Sequence, residues 1–473
     1  MNLARLLLAF GLVGILGGCA LGGPPAWEQE APPIRTGPVV DETRLHRGEL
    51  SNGLTLLVFE DARLPLVTAG LTFRRGAGIE SRDEAGVAGF MAELLTRGAG
   101  ERTALELAEV VDSLGATLEA GAGWDTTSVQ VAGLSRDLDS LFGLLGDAVL
   151  RPRFEASEAE KVRGELLAAL EKARDEPREL ARRAFAKALY PDHRYGLPQS
   201  GTPEVVAALG PDDAAAFHRR VFTPGNAILF AAGSAGYAEI EERAEAVFGA
   251  WEAGPIPEPA PAPPALAPAE RRIVVVDRPD LGQAQIVIGH EGIGRTDPER
   301  LAAGLMVRVL GSSGFTSRLM GRVRAQEGLT YSIYAYLSMR RHPGPFGVST
   351  FTRVAEVGRV VEIVLEELAR MRDEPMTDAE LDAVRRLSAG GFVLGLETSA
   401  DVTGALVDLA AYGLPPDSLD TFRSRVSEID LEQVTEAARR VLHPDRAAVV
   451  VVGPAEVLRP QLEPHGPVEV IQP

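Results

Sequence analysis

Two rhythms of apolar and polar positions organise this chain. Residues 54–78, LTLLVFEDARLPLVTAGLTFRRGAG, are two apolar runs separated by a polar turn that contains proline, which predicts a pair of strands. Residues 271–292, RRIVVVDRPDLGQAQIVIGHEG, repeat that layout. Helical spacing follows each pair: residues 157–177, SEAEKVRGELLAALEKARDEP, predict a long amphipathic helix. Residues 86–100, GVAGFMAELLTRGAG, place Val87, Phe90, Met91, Leu94 and Leu95 on one face of a shorter helix with glycines on both sides. Its remaining positions include Gly89, Ala92 and Glu93.

The chain states its pattern twice. VFTPGNAILFAAG (221–233) and VLHPDRAAVVVVG (441–453) each run from a helix end through a proline turn into an apolar strand and a glycine, and Pro224 and Pro444 lie 220 positions apart. RPRFEASEAE (151–160) and EPMTDAELDA (374–383) are both proline turns entering an acidic helix, with Pro152 and Pro375 offset by 223. A period this long marks a duplicated domain and not a solenoid. Between the copies, AGPIPEPAPAPPALAPAE (253–270) is too rich in proline for helix or sheet and predicts an extended linker. The expected fold class is therefore α+β: two homologous domains, 41–252 and 271–473, each with helices on one face of a mainly antiparallel sheet. A hinge between them would let the domains close around a ligand.

The N-terminus adds a destination. MNLARLLLAFGLVGILGGCA has an early Arg5, an apolar run from Leu6 to Leu16 and then small residues, the layout of a secretory signal peptide over residues 1–18. That run is short of the roughly 20 residues a membrane span needs. Leu16-Gly17-Gly18-Cys19 resembles a bacterial lipobox, which makes Cys19 the lipidation site, and Cys19 is the only cysteine of the chain. Residues 19–40 then read as a lipidated flexible tether. The expected location is the periplasmic side of a bacterial cell envelope, at the outer membrane in a Gram-negative host because Ala20, not aspartate, follows the cysteine. The 473 residues suit more than one core, and the formal charge of −19 argues against nucleic acid as a partner.

Conventional catalytic groupings are missing. The seven histidines, His46, His193, His218, His290, His342, His443 and His465, include no pair at i, i+3 or i+4. No G-x-S-x-G elbow occurs, and the Gly-rich GSSGFTSR (311–318) lacks the G-K-[ST] ending of a phosphate loop.

The duplicated order of strand pair, glycine-flanked helix, acidic helix and closing strand resembles the pitrilysin or insulinase-like metallopeptidase family over residues 45–455. Its most specific pieces here are G-V-A-G-F-M-A-E and LGSSGFTSRLMGRVRAQEGLTYSIYA (310–335). PDHRYGLPQSGT (191–202) is similar to the family's H-P-Y-G-x-P-x-x-G-T, with Arg194 in place of proline. Active members carry H-x-x-E-H on the first helix and a distal glutamate. Histidines at i and i+4 share a helix face and reach one zinc ion, and the glutamate polarises the attacking water. The resemblance puts Gly89 and Glu93 at the histidine positions, Ala92 at the glutamate and Ala169 at the distal ligand. One carboxylate cannot hold zinc, so the resemblance implies no zinc in this chain.

The second half keeps the family's R-x-x-x-G-L-x-Y, as Arg324 and Tyr331. In active relatives this pair binds substrate carbonyls and donates to the oxyanion. The family includes heterodimers in which one subunit brings zinc and the other the Arg/Tyr pair. The resemblance thus implies a non-zinc subunit, with a related peptidase subunit bearing H-x-x-E-H as partner, a peptide as substrate, zinc in that partner, and the membrane met through a lipid anchor. The alternative is a non-catalytic scaffold or peptide-binding protein of the same fold.

Overall fold

The computed structural model describes residues 29, 33–259, 261–263 and 271–473. The expected signal peptide and lipobox, Cys19 included, lie outside the described residues, as does much of the linker. Thr36–Pro473 forms one compact unit. Among the described residues no helix is long and apolar enough to cross a membrane.

The first half contributes strands β1 (Leu45–Glu49), β2 (Thr55–Glu60), β3 (Leu66–Phe73), β4 (Thr117–Ala122), β5 (Thr127–Leu134) and β6 (Ala227–Gly233). They form one sheet in the order β1-β2-β6-β3-β5-β4, antiparallel except for β2 beside β6. In the second half β7 (Arg272–Asp277), β8 (Gln283–Glu291), β9 (Ile333–Leu337), β10 (Pro345–Arg353), β11 (Ala448–Gly453) and β12 (Val468–Ile471) form a sheet in the order β9-β10-β8-β11-β7-β12. Five strands match one for one: β7 lies parallel to β11 as β2 does to β6, and the antiparallel series through β8, β10 and β9 repeats that through β3, β5 and β4. Only the sixth strand differs. β1 joins antiparallel from before the repeat, and β12 joins parallel from after it.

Helices cover each sheet. The first half has α1 (Val87–Leu95), α2 (Ala104–Ser113), α3 (Leu138–Leu150), α4 (Ala156–Asp175), α5 (Pro177–Leu189), α6 (Pro203–Ala208), α7 (Pro211–Val221) and α8 (Tyr237–Phe248). The second has α9 (Arg300–Val307), α10 (Val357–Asp373), α11 (Asp378–Leu394), α12 (Ser399–Tyr412), α13 (Ser418–Glu428), α14 (Leu431–Val441) and α15 (Ala455–Leu462). The central strands β6 and β11 are buried along their whole length, as their uninterrupted apolar runs require, because both faces of each sheet are covered.

The cover on the second face comes from the opposite half. Leu180, Phe185 and Leu189 of α5 pack on Val274, Val276 and Val450 of the second sheet. Val402, Leu406 and Val407 of α12 pack on Leu57, Phe59 and Phe230 of the first. Polar contacts reinforce this exchange. Asp125 Oδ2 accepts from the Arg341 backbone N–H and from the Tyr412 hydroxyl, each at 2.8 Å.

This arrangement corrects the expected hinge: separating the halves would expose two shared apolar cores, so they cannot swing freely. The described part of the linker is pinned as well, Pro257 O accepting from Arg75 Nε at 2.8 Å. The end of the expected tether is also docked and not flexible. Val39 and Val40 donate their backbone N–H groups to Asp420 Oδ1 at 2.6 and 2.9 Å, and Val40 is buried beside α12.

Candidate functional site

The helix that invites a metal is α1, and the chain around it is firmly built. Gly86 precedes it at φ 105°, where a Cβ would come within 2.9 Å of the Ser200 carbonyl, so only glycine fits. Glu80 caps the first turn, accepting from the Gly86 N–H at 3.0 Å and the Ala88 N–H at 2.7 Å. Arg194 donates to the same carboxylate through Nε at 2.7 Å, and its remaining N–H groups reach the carbonyls of Leu197, Pro198 and Gln199. Its guanidinium also lies over the Trp124 ring. Both charged side chains are essentially inaccessible to solvent. Burial pushes the Glu80 carboxyl upward in pKa, against the pull of Arg194 and the two amides.

On this helix Phe90, Met91, Leu94 and Leu95 are buried, as the spacing predicts. Gly89 is half-buried with open space where a Cβ would point, Ala92 is buried, and Glu93 is exposed. Ala169 is exposed on α4, whose approach to α1 is marked by the Arg97–Glu165 ion pair at 2.9 Å. Zinc in a catalytic site takes three protein ligands, and these four positions supply one carboxylate. Among the described residues no group of three or more His, Cys, Asp and Glu side chains is placed to hold a metal. The residues present do not fit the ion.

Three of the histidines hold structural positions. His290 Nε2 accepts from the His443 N–H at 3.0 Å while Nδ1 pairs with the Glu291 carbonyl, and burial pushes its pKa down to about 4. His218 pairs with the Val149 carbonyl and is likewise held at about 4 by burial. His193 accepts from the Tyr195 N–H and meets the linker at Pro261 O, 3.1 Å away.

Arg324 and Tyr331, by contrast, are brought together and left open. Arg324 stands in a widened π-type helical segment, Met320–Gln326, an irregularity frequent at functional sites. Its Cζ lies 4.5 Å from the centre of the Tyr331 ring. Tyr331, just before edge strand β9, is 72% exposed. No hydrogen bond or ion pair among the described residues reaches the Arg324 guanidinium. Its neighbours differ: Arg318 is paired with Glu380 at 2.7 Å and Arg322 with Glu367 at 2.8 Å.

Two features were not visible in sequence. Phe315, in the Gly-rich turn, lies under the Arg324 guanidinium with its ring centre 4.6 Å from Cζ. Arg194, noted only as a departure from a motif, carries the buried ion pair beneath α1.

Comparison with known proteins decides the family. A model described as insulinase (peptidase family M16) matches residues 57–203, and one described as peptidase M16 inactive domain matches residues 208–388. An uncharacterised zinc protease of Mycobacterium tuberculosis (strain H37Rv) is 30% identical over 386 residues, 80% of this chain and 86% of that protein. The chain belongs to the insulinase family of peptidases. An uncharacterised zinc protease of Streptomyces coelicolor is 28% identical over 419 residues, 87% of this chain and 90% of that one.

Among solved structures, a peptidase M16 inactive domain from Pseudomonas fluorescens superposes with a TM-score of 0.81 at 27% identity, over 87% of this chain and 98% of that chain. The periplasmic protease PqqL of Escherichia coli shares the fold at a TM-score of 0.73 and 18% identity, over 90% of this chain and 49% of its own. Within the insulinase family this chain is one that has lost H-x-x-E-H.

Proposed function

We propose that the chain is the non-zinc subunit of a heterodimeric insulinase-like metalloendopeptidase, supplying Arg324 and Tyr331 to a zinc site on a related subunit. The observation that carries this reading is the Arg324–Tyr331 pair: a half-buried arginine stacked on an exposed phenol, neither side chain hydrogen-bonded or ion-paired among the described residues. Such a pair is suited to hold a peptide carbonyl and to donate to an oxyanion. The donor-poor face of α1 supports the assignment of zinc to the partner. The chain's own residues then bind and orient the peptide, and Tyr331 places a proton donor at the carbonyl oxygen.

The purified chain should contain far less than one zinc per chain by mass spectrometry and cleave no peptide. One tightly bound zinc, lost together with peptidase activity, would overturn the assignment of Gly89, Ala92 and Ala169. Mixing with a relative that bears intact H-x-x-E-H should create activity that neither chain shows alone. Co-elution without activity would favour the scaffold reading.

The same proposal places the protein on the periplasmic side of the cell envelope through an acyl anchor on Cys19. Labelled palmitate should enter the full chain expressed in a bacterial host but not its Cys19→Ser variant. Equal labelling of the two would remove the anchor from the picture.

A further inference from the structure

The Gly-rich turn before Arg324 holds a large aromatic side chain in water. Phe315 is 74% exposed, so burial does not keep it there. The turn itself is fixed. Gly314 sits at φ 67°, the Ser317 N–H and hydroxyl both donate to the Gly314 carbonyl, at 3.1 and 2.8 Å, and the Thr316 hydroxyl donates to Ser313 O. What the ring touches is Arg324, whose Cζ lies 4.6 Å from the Phe315 centre and 4.5 Å from the Tyr331 centre.

Three arginines occupy this short segment. Arg318 and Arg322 are neutralised by Glu380, Glu366 and Glu367. Arg324 alone among them has two aromatic rings and no carboxylate. A guanidinium held on ring faces keeps its N–H edge free, and its planar fork suits a carbonyl or carboxylate oxygen. A free arginine side chain in water would lose rotamer entropy on binding; one already held loses less.

We infer that Phe315 is a positioning residue for peptide binding: together with Tyr331 it fixes the Arg324 guanidinium in the orientation that receives a backbone carbonyl or carboxylate of the peptide. This rests on the assignment of Arg324 and Tyr331 to substrate, and Phe315 acts through Arg324 without touching the reacting atoms. The role belongs to the π face. Phe315→Tyr keeps it, and Phe315→Leu keeps most of the bulk without it.

Two measurements test the inference. In the chain alone, the side-chain Nε–H resonance of Arg324, assigned with Arg324→Lys, should lie upfield of those of the exposed arginines through ring currents. Phe315→Ala and Phe315→Leu should both move it downfield, and Phe315→Tyr should leave it in place. In the reconstituted pair, Phe315→Ala and Phe315→Leu should raise KM about two- to fivefold with kcat nearly unchanged, and Phe315→Tyr should restore the wild-type value. An Arg324 resonance indifferent to Phe315→Ala, or leucine serving as well as tyrosine, would overturn the role. A reconstituted wild-type pair with no activity would instead count against the shared-site reading, and the resonance would still decide whether Phe315 positions Arg324.

Discussion

Tyr331→Phe, introduced into the reconstituted pair, is expected to lower kcat by about a hundredfold or more while the complex still assembles. The hydroxyl makes no hydrogen bond among the described residues, and Tyr331 stands 72% exposed beside Arg324, so removing one oxygen should leave folding untouched. The effect should fall on kcat because a neutral carbonyl gains little from the phenol, whereas the oxyanion formed as water attacks gains a charge-assisted hydrogen bond. Arg324→Ala should differ in kind. A guanidinium that holds the peptide before reaction acts on the ground state as well, so KM should rise along with the fall in kcat. Size-exclusion chromatography checks assembly and steady-state kinetics gives the two constants. Full activity in the Arg324→Ala, Tyr331→Phe double variant would make these residues structural and the protein a scaffold.

The sequence was most legible where one local pattern determines one element. The paired apolar runs at 54–78 and 271–292 became β2–β3 and β7–β8, and the matched proline turns at Pro224 and Pro444 lead directly into β6 and β11. The duplication was readable because the same supersecondary order recurs at a nearly constant offset. The interlocking was not. The apolar faces of α5 and α12 announce burial, but periodicity says nothing of which sheet does the burying, and each helix covers the sheet of the other half. The linker's attachments were equally hidden, since proline content predicts extension and gives no sign of side chains elsewhere that reach its carbonyls.

The candidate site divides in the same way. The family resemblance aligned Gly89, Ala92 and Glu93 on α1, and the structure puts Gly89 and Glu93 where side chains would be accessible while Ala92 is buried. The match to the family's R-x-x-x-G-L-x-Y pointed to Arg324 and Tyr331, but not to their stacking or to Phe315 joining them. A cation meeting two rings across a turn is a tertiary fact. The one available sign was a phenylalanine amid small polar residues, which the turn chemistry of GSSGFTSR does not call for.

Arg194→Met is expected to be the most damaging single change in stability, lowering the unfolding free energy by about 3–5 kcal/mol, because it leaves the Glu80 carboxylate buried without its cation. The side chain it removes also satisfies three carbonyls between Leu197 and Gln199, so the loss reaches the segment on which Gly86 and the start of α1 rest. The pH dependence distinguishes this cause from simple loss of packing. Without Arg194, burial raises the Glu80 pKa further, so the folded state keeps a proton that the unfolded chain releases above about pH 4.3. The stability deficit of the variant should therefore be smallest near pH 4 and grow as the pH rises toward 7. Adding Glu80→Gln should recover part of the loss at pH 7, since a neutral amide leaves no buried charge, while one of the two capped N–H groups loses its acceptor. Urea denaturation at the two pH values gives the free energies, and hydrogen exchange at the Gly86 and Ala88 amides reports the cap directly. A deficit independent of pH, with unchanged protection at those amides, would show that the Arg194–Glu80 pair does not hold the start of α1.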